Sequence, residues 1–176
     1  MAVSDMVGRV GRVASLHLHP TQAGAAMQPA AVFEVAAGRG IVNEPRYFDR
    51  RNPQTGEPSR RQISLLEREQ IAEHAVALNR PALPPGAVRA NIETTGLCLV
   101  PLIGRRLQVG EAILQVYAAR QPCAKMDTVS PGLRRRMESD RQGVLAQIIQ
   151  SGVIRVGDAI RVMGEPGLAL PTDASP

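Results

Sequence analysis

Glycine and proline break up this chain from end to end, 16 of one and 14 of the other in 176 residues. Glycine opens left-handed turns, and proline withholds the N–H that a helix interior or a central strand needs. Punctuation this dense favours many short strands joined by turns over a helical bundle. Aromatic residues make up only 2% of the chain, so aliphatic side chains must fill the interior. The length suits one domain with a real core. We place that domain at residues 7–163 and read 1–6 and the Pro-, Gly- and Ala-rich 164–176 as flexible termini.

The formal net charge is +5, and the basic side is almost all arginine: 21 basic residues less the single lysine, Lys125, leaves 20. Arginine presents a planar, permanently charged fork that suits phosphate and carboxylate. No basic stripe is interleaved with aromatics, and no zinc or helix-turn-helix pattern is present. A small anionic ligand is therefore expected, and nucleic acid is not. The two cysteines, Cys98 and Cys123, make no disulfide framework. The first residues lack the basic-then-apolar layout of a signal peptide, and no apolar run would span a bilayer. The expectation is a cytoplasmic protein with reduced thiols and no membrane partner.

Along the chain, residues 7–19 alternate as a strand, with His17 and His19 on one face. A turn at residues 20–24 and a second strand at 31–35 follow. Gly38-Arg39-Gly40-Ile41 breaks that strand. Residues 43–59 hold three prolines and carry Arg46, Tyr47, Arg50 and Arg51, which reads as a long surface loop. A short strand at 60–66 leads into a helix near 67–78, with Ser64 and Glu67 as a capping box and Ile71, Ala75 and Leu78 on its apolar face. Residues 87–96 read as a strand that presents Arg89, Asn91 and Glu93 on one face and sends Val88, Ala90 and Ile92 to the core. Cys98 lies in an apolar run that suggests burial. Residues 107–117 form a hairpin, and 131–141 carry Leu133 and Met137 at helical spacing with Arg134-Arg135-Arg136 as a solvated helix face. Residues 142–153 fit helix or strand. Residues 152–162 read as strand, Gly-Asp turn and strand.

The chemistry concentrates in Arg120-Gln121-Pro122-Cys123-Ala124-Lys125-Met126-Asp127. Pro122 ends the preceding strand, and a thiol, an ammonium and a carboxylate follow within five residues. A cation two positions from Cys123 favours the thiolate, the nucleophilic and metal-binding form. A buried structural cysteine at a strand end is the other reading.

At Cys123 and the segments around it the chain resembles the MOSC family, named for the C-terminal domain of molybdenum cofactor sulfurase. The matching pieces come in the family's order. They are Gly38-Arg39-Gly40-Ile41 with Arg46-Tyr47-Phe48, Arg61-Gln62-Ile63-Ser64-Leu65, and the run from Gly86 through Arg89, Asn91, Ile92 and Gly96. Pro122-Cys123 and residues 151–158 complete them. Asn43-Glu44 stands where the family carries Gly-Asp, and Thr21 and Gln22 stand where it carries a basic residue. The resemblance implies a mainly β fold, a mostly antiparallel β-barrel with a few short helices. It implies molybdenum cofactor (molybdopterin), an anionic pterin, with Cys123 as catalytic residue ligating molybdenum or carrying sulfur, and with Arg89 and Asn91 on the pterin. The expected cofactor-binding set adds Arg61, Arg46, Gln121 and Lys125. The implied activity is reduction of N-hydroxylated compounds or transfer of sulfur or cofactor, with an electron-transfer or cysteine-desulfurase partner. Pyridoxal phosphate would sit only on a separate sulfurase partner. Two rivals stay open: a persulfide carrier without metal, and a cysteine hydrolase or transferase drawing on His17, His19 or His74.

Overall fold

The computed structural model describes residues 9–164, so the expected flexible termini, apart from Gly164, lie outside the described residues. Eleven short strands and a few short helices make up this span. Strand β1 (Val10–Leu18) pairs along its length with three others, a reach its nine residues permit. It takes β6 (Ile92–Thr95) on one side, and β11 (Ala159–Val162) and β2 (Gln28–Ala30) along the other. Beyond β11 come β7 (Arg106–Val109), β8 (Ala112–Ala119), β9 (Val144–Gln150) and β5 (Ile63–Glu67), which returns to β6. The pairing of β1 with β11 closes these seven strands into a barrel, with β2 appended. A smaller sheet of β10 (Gly152–Arg155), β3 (Val32–Ala36) and β4 (Gly40–Ile41) is separate in its strand pairing but adds Phe33, Val35, Ile41 and Ile154 to the same apolar core.

The barrel is mixed. All its pairings are antiparallel except β5 with β6. Parallel neighbours need a crossover, and helix α1 (Arg68–Ala77) supplies it. Strand β5 is buried on both faces. Ile63 and Leu65 enter the barrel interior, while Leu66 enters a second apolar cluster. That cluster joins Ile71 and Ala75 of α1, Val88 and Ala90, Met126 of α2 (Lys125–Val129) and Leu133 of α3 (Leu133–Arg136). Small helices thus cap the barrel on the side where the Cys123 segment leaves β8.

Several local expectations need correcting. Ser64 does not cap α1: it stays in β5, its side chain bonded to Asn91, and Glu67 holds the N-cap position without a side-chain cap. The strand expected at 87–96 begins only at Ile92. Arg89 has a φ of 60° and leaves the alternation. Strands β10 and β11 form no hairpin with each other, since one joins the small sheet and the other the barrel. The arginine-rich helix is a single turn, and residues 144–150 are strand. Cys98 is exposed, because Leu97 and Leu99 take the inward positions on either side of it. No helix among the described residues is long and apolar enough to cross a membrane.

Candidate functional site

Inward positions along β8 fall on Ala112, Leu114 and Val116; a register shift between Val116 and Ala118 then interrupts the alternation, and Arg120 follows the strand's last residue and is buried. Its Nη1 donates to the Val88 carbonyl at 3.2 Å and its Nη2 to the Arg89 carbonyl at 2.9 Å. Its backbone N–H donates to Gly143 at 2.9 Å. Burial, and then the nearby Arg61 charge, lower its pKa to about 10, while Tyr47 and Cys123 oppose the shift. Arg120 is still a cation at neutral pH. It fastens the turn bearing Arg89 to the segment bearing Cys123.

Arg89 occupies the left-handed backbone region, which costs a non-glycine residue about 1 kcal/mol. Its N–H donates to the Gly86 carbonyl, and Arg120 binds its own carbonyl, so both sides of the turn are held. Its Nη1 donates to the Ala25 carbonyl at 2.9 Å, while Nη2 is buried with no protein partner. Burial and the Arg46 charge lower its pKa, and Cys123, Tyr47 and Glu44 pull it the other way. These electrostatic neighbours bring Cys123, Arg89, Arg46, Arg61, Arg120 and Tyr47 into one locality. Their residues come from loop 43–59, the edge of β5, the 84–91 turn and the end of β8. Cys123 itself is exposed, and its carbonyl accepts from Met126 N–H in the first turn of α2.

Beneath this surface lies a buried polar layer. Asn91 is only 2% exposed and its amide is fully engaged. Its Oδ1 accepts from the Ser64 N–H at 3.1 Å and hydroxyl at 2.9 Å, and its Nδ2 donates to the His17 carbonyl and to Glu44. Glu44 Oε2 accepts the His19 N–H at 2.9 Å, Oε1 lies 3.2 Å from His19 Nδ1, and the Arg46 N–H also donates to it. Burial alone would raise the Glu44 pKa. The His19 ring and N–H and the Arg46 N–H outweigh it and hold the carboxyl below its ordinary value. Asn43 before it adopts φ 66°. Asparagine is, after glycine, the residue that best tolerates that region, so the backbone shape expected of glycine survives.

The ring of Tyr47 is met edge-on by His19 at 5.2 Å and covered by the guanidinium of Arg61 at 4.8 Å. Arg89 and Lys125 line a cleft of about 660 Å³ between loop 24–27, the Pro84–Pro85 turn and α2. Gln121 points elsewhere and donates to Asp140 at 3.2 Å. Of the residues expected from the sequence, then, Cys123, Arg89, Arg61 and Arg46 share one locality, and Lys125 lines the adjoining cleft with Arg89. Asn91 supports it from below, and Gln121 is turned aside. Arg120, Tyr47 and His19 were not among them. No residue pattern marks Arg120 as buried, because the alternation of β8 breaks before it. Nothing in the sequence brings His19 to Glu44, 25 residues away.

The donors suit an anion better than a bare metal. Among the described residues no three His, Cys, Asp or Glu side chains gather as an ion site. Guanidinium groups dominate instead, with one soft thiol at their edge.

Solved structures with this fold include the YuaD protein from Bacillus subtilis, with a TM-score of 0.72 at 19% identity, covering 87% of this chain and 95% of that one. YiiM from Geobacillus stearothermophilus matches with a TM-score of 0.66 at 20% identity, over 88% of this chain and 75% of that one. YiiM from Escherichia coli does so at 0.60 and 18%, over 89% and 70%. At such identities the likeness speaks for the fold alone. No match was found among curated proteins. The sequence profile of the MOSC domain matches residues 20–161, most of the barrel together with the Cys123 segment. The chain belongs to the MOSC domain family.

Proposed function

We propose that this protein binds molybdenum cofactor in the cleft beside Cys123. The observation that carries the reading is the buried Arg89 Nη2, a guanidinium nitrogen without a protein partner, in the same locality as an exposed thiol. A buried charged donor left unpaired is costly, and an anionic group in the cleft would satisfy it. The residues present fit such a group. Arg89 and Lys125 line the space, Arg120 and Arg46 add positive field, and a thiolate is a soft ligand for molybdenum. A metal that arrives inside a larger cofactor brings further ligands with it, which suits a site with a single thiol.

When bound, the cofactor supplies redox or sulfur chemistry at its metal. The protein's own part is to hold and orient. Cys123 offers its sulfur from a segment fixed by Arg120. Arg89 is held at its unusual φ, so its fork is aimed before any ligand arrives. Asn91 and Ser64 hold Glu44 and the Tyr47 loop in register from below. The activity this arrangement supports is reduction of N-hydroxylated compounds with electrons from a protein partner, or passage of sulfur or cofactor to an acceptor. The hydrolase reading has less support, because His19 is paired with Glu44 and His74 Nε2 meets the Arg141 carbonyl at 2.9 Å.

Metal and pterin analysis of protein made in a cofactor-competent host tests the proposal. Wild type should carry both, and Cys123→Ser should lose the molybdenum. Arg89→Ala should lose the pterin. A wild type that holds neither, or a Cys123→Ser that holds as much molybdenum as wild type, would overturn it.

A further inference from the structure

Beyond the Cys123 cleft, loop 43–59 and the residues leading into β5 enclose a second hollow of about 470 Å³, within the range of small-molecule sites. Four arginines line it, Arg50, Arg51, Arg60 and Arg61, against one carboxylate, Glu57. None of the four makes an ion pair among the described residues. The nearby Asp49 is already taken by Arg39 at 3.1 Å. Four guanidinium groups against one carboxylate in the lining, with Asp49 reaching Arg51 from outside it, leave the hollow positively charged.

The way they are held is informative. The Arg60 guanidinium lies 4.5 Å over the Tyr117 ring, and Arg61 lies 4.8 Å over Tyr47, with Arg50 at 5.7 Å from the same ring. Stacking uses the flat face of a guanidinium and leaves its in-plane N–H donors free. Arg51 is steadied by the Gly56 carbonyl at 2.9 Å. Ser59, Asn52 and Thr55 add neutral hydrogen-bonding groups to the lining. Fixed forks with free edges around a concave space are what a phosphate group requires. A flat basic face, as a polymer would need, is a different shape.

We propose that this hollow binds a small phosphorylated compound, and that this compound is the substrate presented to the Cys123 site. Arg61 makes the link, since its side chain lines the hollow and lies 4.8 Å over the ring of Tyr47, which belongs to the Cys123 locality. The substrate role rests on the cofactor reading above, whereas the phosphate binding does not.

Calorimetry with inorganic pyrophosphate at low ionic strength tests it on the full-length protein. Metal and pterin content are measured on the same preparations. Wild type should bind pyrophosphate saturably. Arg51→Ala/Arg60→Ala should weaken that binding at least about tenfold, the loss expected for charge-assisted hydrogen bonds. Arg51→Lys/Arg60→Lys should restore only part of it. Arg134→Ala/Arg135→Ala removes the same charge from exposed positions on α3 and should change it little. Pterin and molybdenum content should stay at the wild-type level in the Arg51/Arg60 variants. Absence of saturable binding, or equal binding by wild type and Arg51→Ala/Arg60→Ala, overturns the proposal. So does tighter binding of a short single-stranded RNA through the same arginines, which would make the partner a polymer. Loss of pterin from folded Arg51→Ala/Arg60→Ala would give the hollow to the cofactor's own phosphate and overturn the substrate role. Pyrophosphate binding by a wild type that holds no pterin would keep the phosphate site and sink the cofactor reading alone.

Discussion

Cys123 and Cys98 are both open to solvent, so exposure does not separate them. Their surroundings do. Cys123 shares its locality with Arg89 and Arg120, whereas Cys98 lines a hollow with three carboxylates, Glu67, Glu69 and Glu73, against the single cation Arg9. A thiolate is favoured by cations and disfavoured by carboxylates. A thiol reagent should therefore label Cys123 faster in protein without cofactor, and cofactor loading should protect Cys123 and leave Cys98 reactive. Equal rates and equal protection would assign the chemistry wrongly. Glu44 gives a second test at the same scale. Its folded pKa lies below the ordinary value of about 4.3, so it contributes stability that is fully present above that value and is lost as pH falls through the lower folded one. Glu44→Gln should cost about 2 kcal/mol at pH 7, the order expected for buried hydrogen bonds to a charge. The gap to wild type should narrow on acidification below about pH 4. Chemical unfolding at several pH values checks this, and a gap that widens in acid would refute it.

At the scale of elements, the junction of β5 and α1 carries the next expectation. Glu67 ends the strand and begins the helix, and its Oε1 accepts the Leu99 N–H at 2.7 Å while Oε2 is buried without a partner. Burial raises its pKa, and the Leu99 bond only partly offsets this. A raised pKa means stability that is fully present below the unfolded value and is lost as pH rises through the folded one. Glu67→Gln keeps an acceptor for Leu99 and buries no charge, so at pH 7 it should lie within about 1 kcal/mol of wild type. Wild type should gain on the variant as pH falls from 7 towards the ordinary carboxylate range, and a pH-independent gap would dispose of the idea. This junction also shows what the sequence could convey. The α1 helix and the 107–117 hairpin were legible because local periodicity specifies them. Ser64 misled because a capping signal ahead of a helix looks the same whether the chain turns there or runs straight on as strand. The 87–91 stretch misled because its alternation is real, with Val88 and Ala90 inward, yet Arg89 breaks the backbone at a positive φ that no residue pattern announces. In the candidate site, the nearness of Cys123 and Arg89 was expected from their motifs. The partnership of Glu44 with His19 and Asn91 was not, because it is made only when the barrel closes.

For the whole molecule, barrel closure and site geometry meet at Gly143. It precedes β9, has φ 71°, and its carbonyl accepts the Arg120 N–H. The first residue of β9, Val144, is paired with Leu65 of β5 on one side and Ala119 of β8 on the other. A Cβ at Gly143 would run into the Leu65 carbonyl oxygen and sit 2.9 Å from Leu66 Cα. These are backbone atoms of a strand buried on both faces, so they cannot move aside as a side-chain tip could. Gly143→Ala should therefore cost about 3 kcal/mol or more, from backbone strain and overlap together. For a domain of this size that lowers Tm by roughly 10 °C. Gly157 provides the comparison. Its φ of 91° is also left-handed, but nothing lies within 4 Å of an added Cβ. Gly157→Ala should cost only the backbone term, about 1 kcal/mol. Because Gly143 also holds Arg120, the first variant should lose cofactor even at temperatures where it remains folded, and the second should not. Thermal melts with pterin analysis of both proteins decide this. Equal Tm losses would mean that the close approach of β9 to β5 does not govern closure. Full cofactor content in folded Gly143→Ala would mean that Arg120 is not held through it.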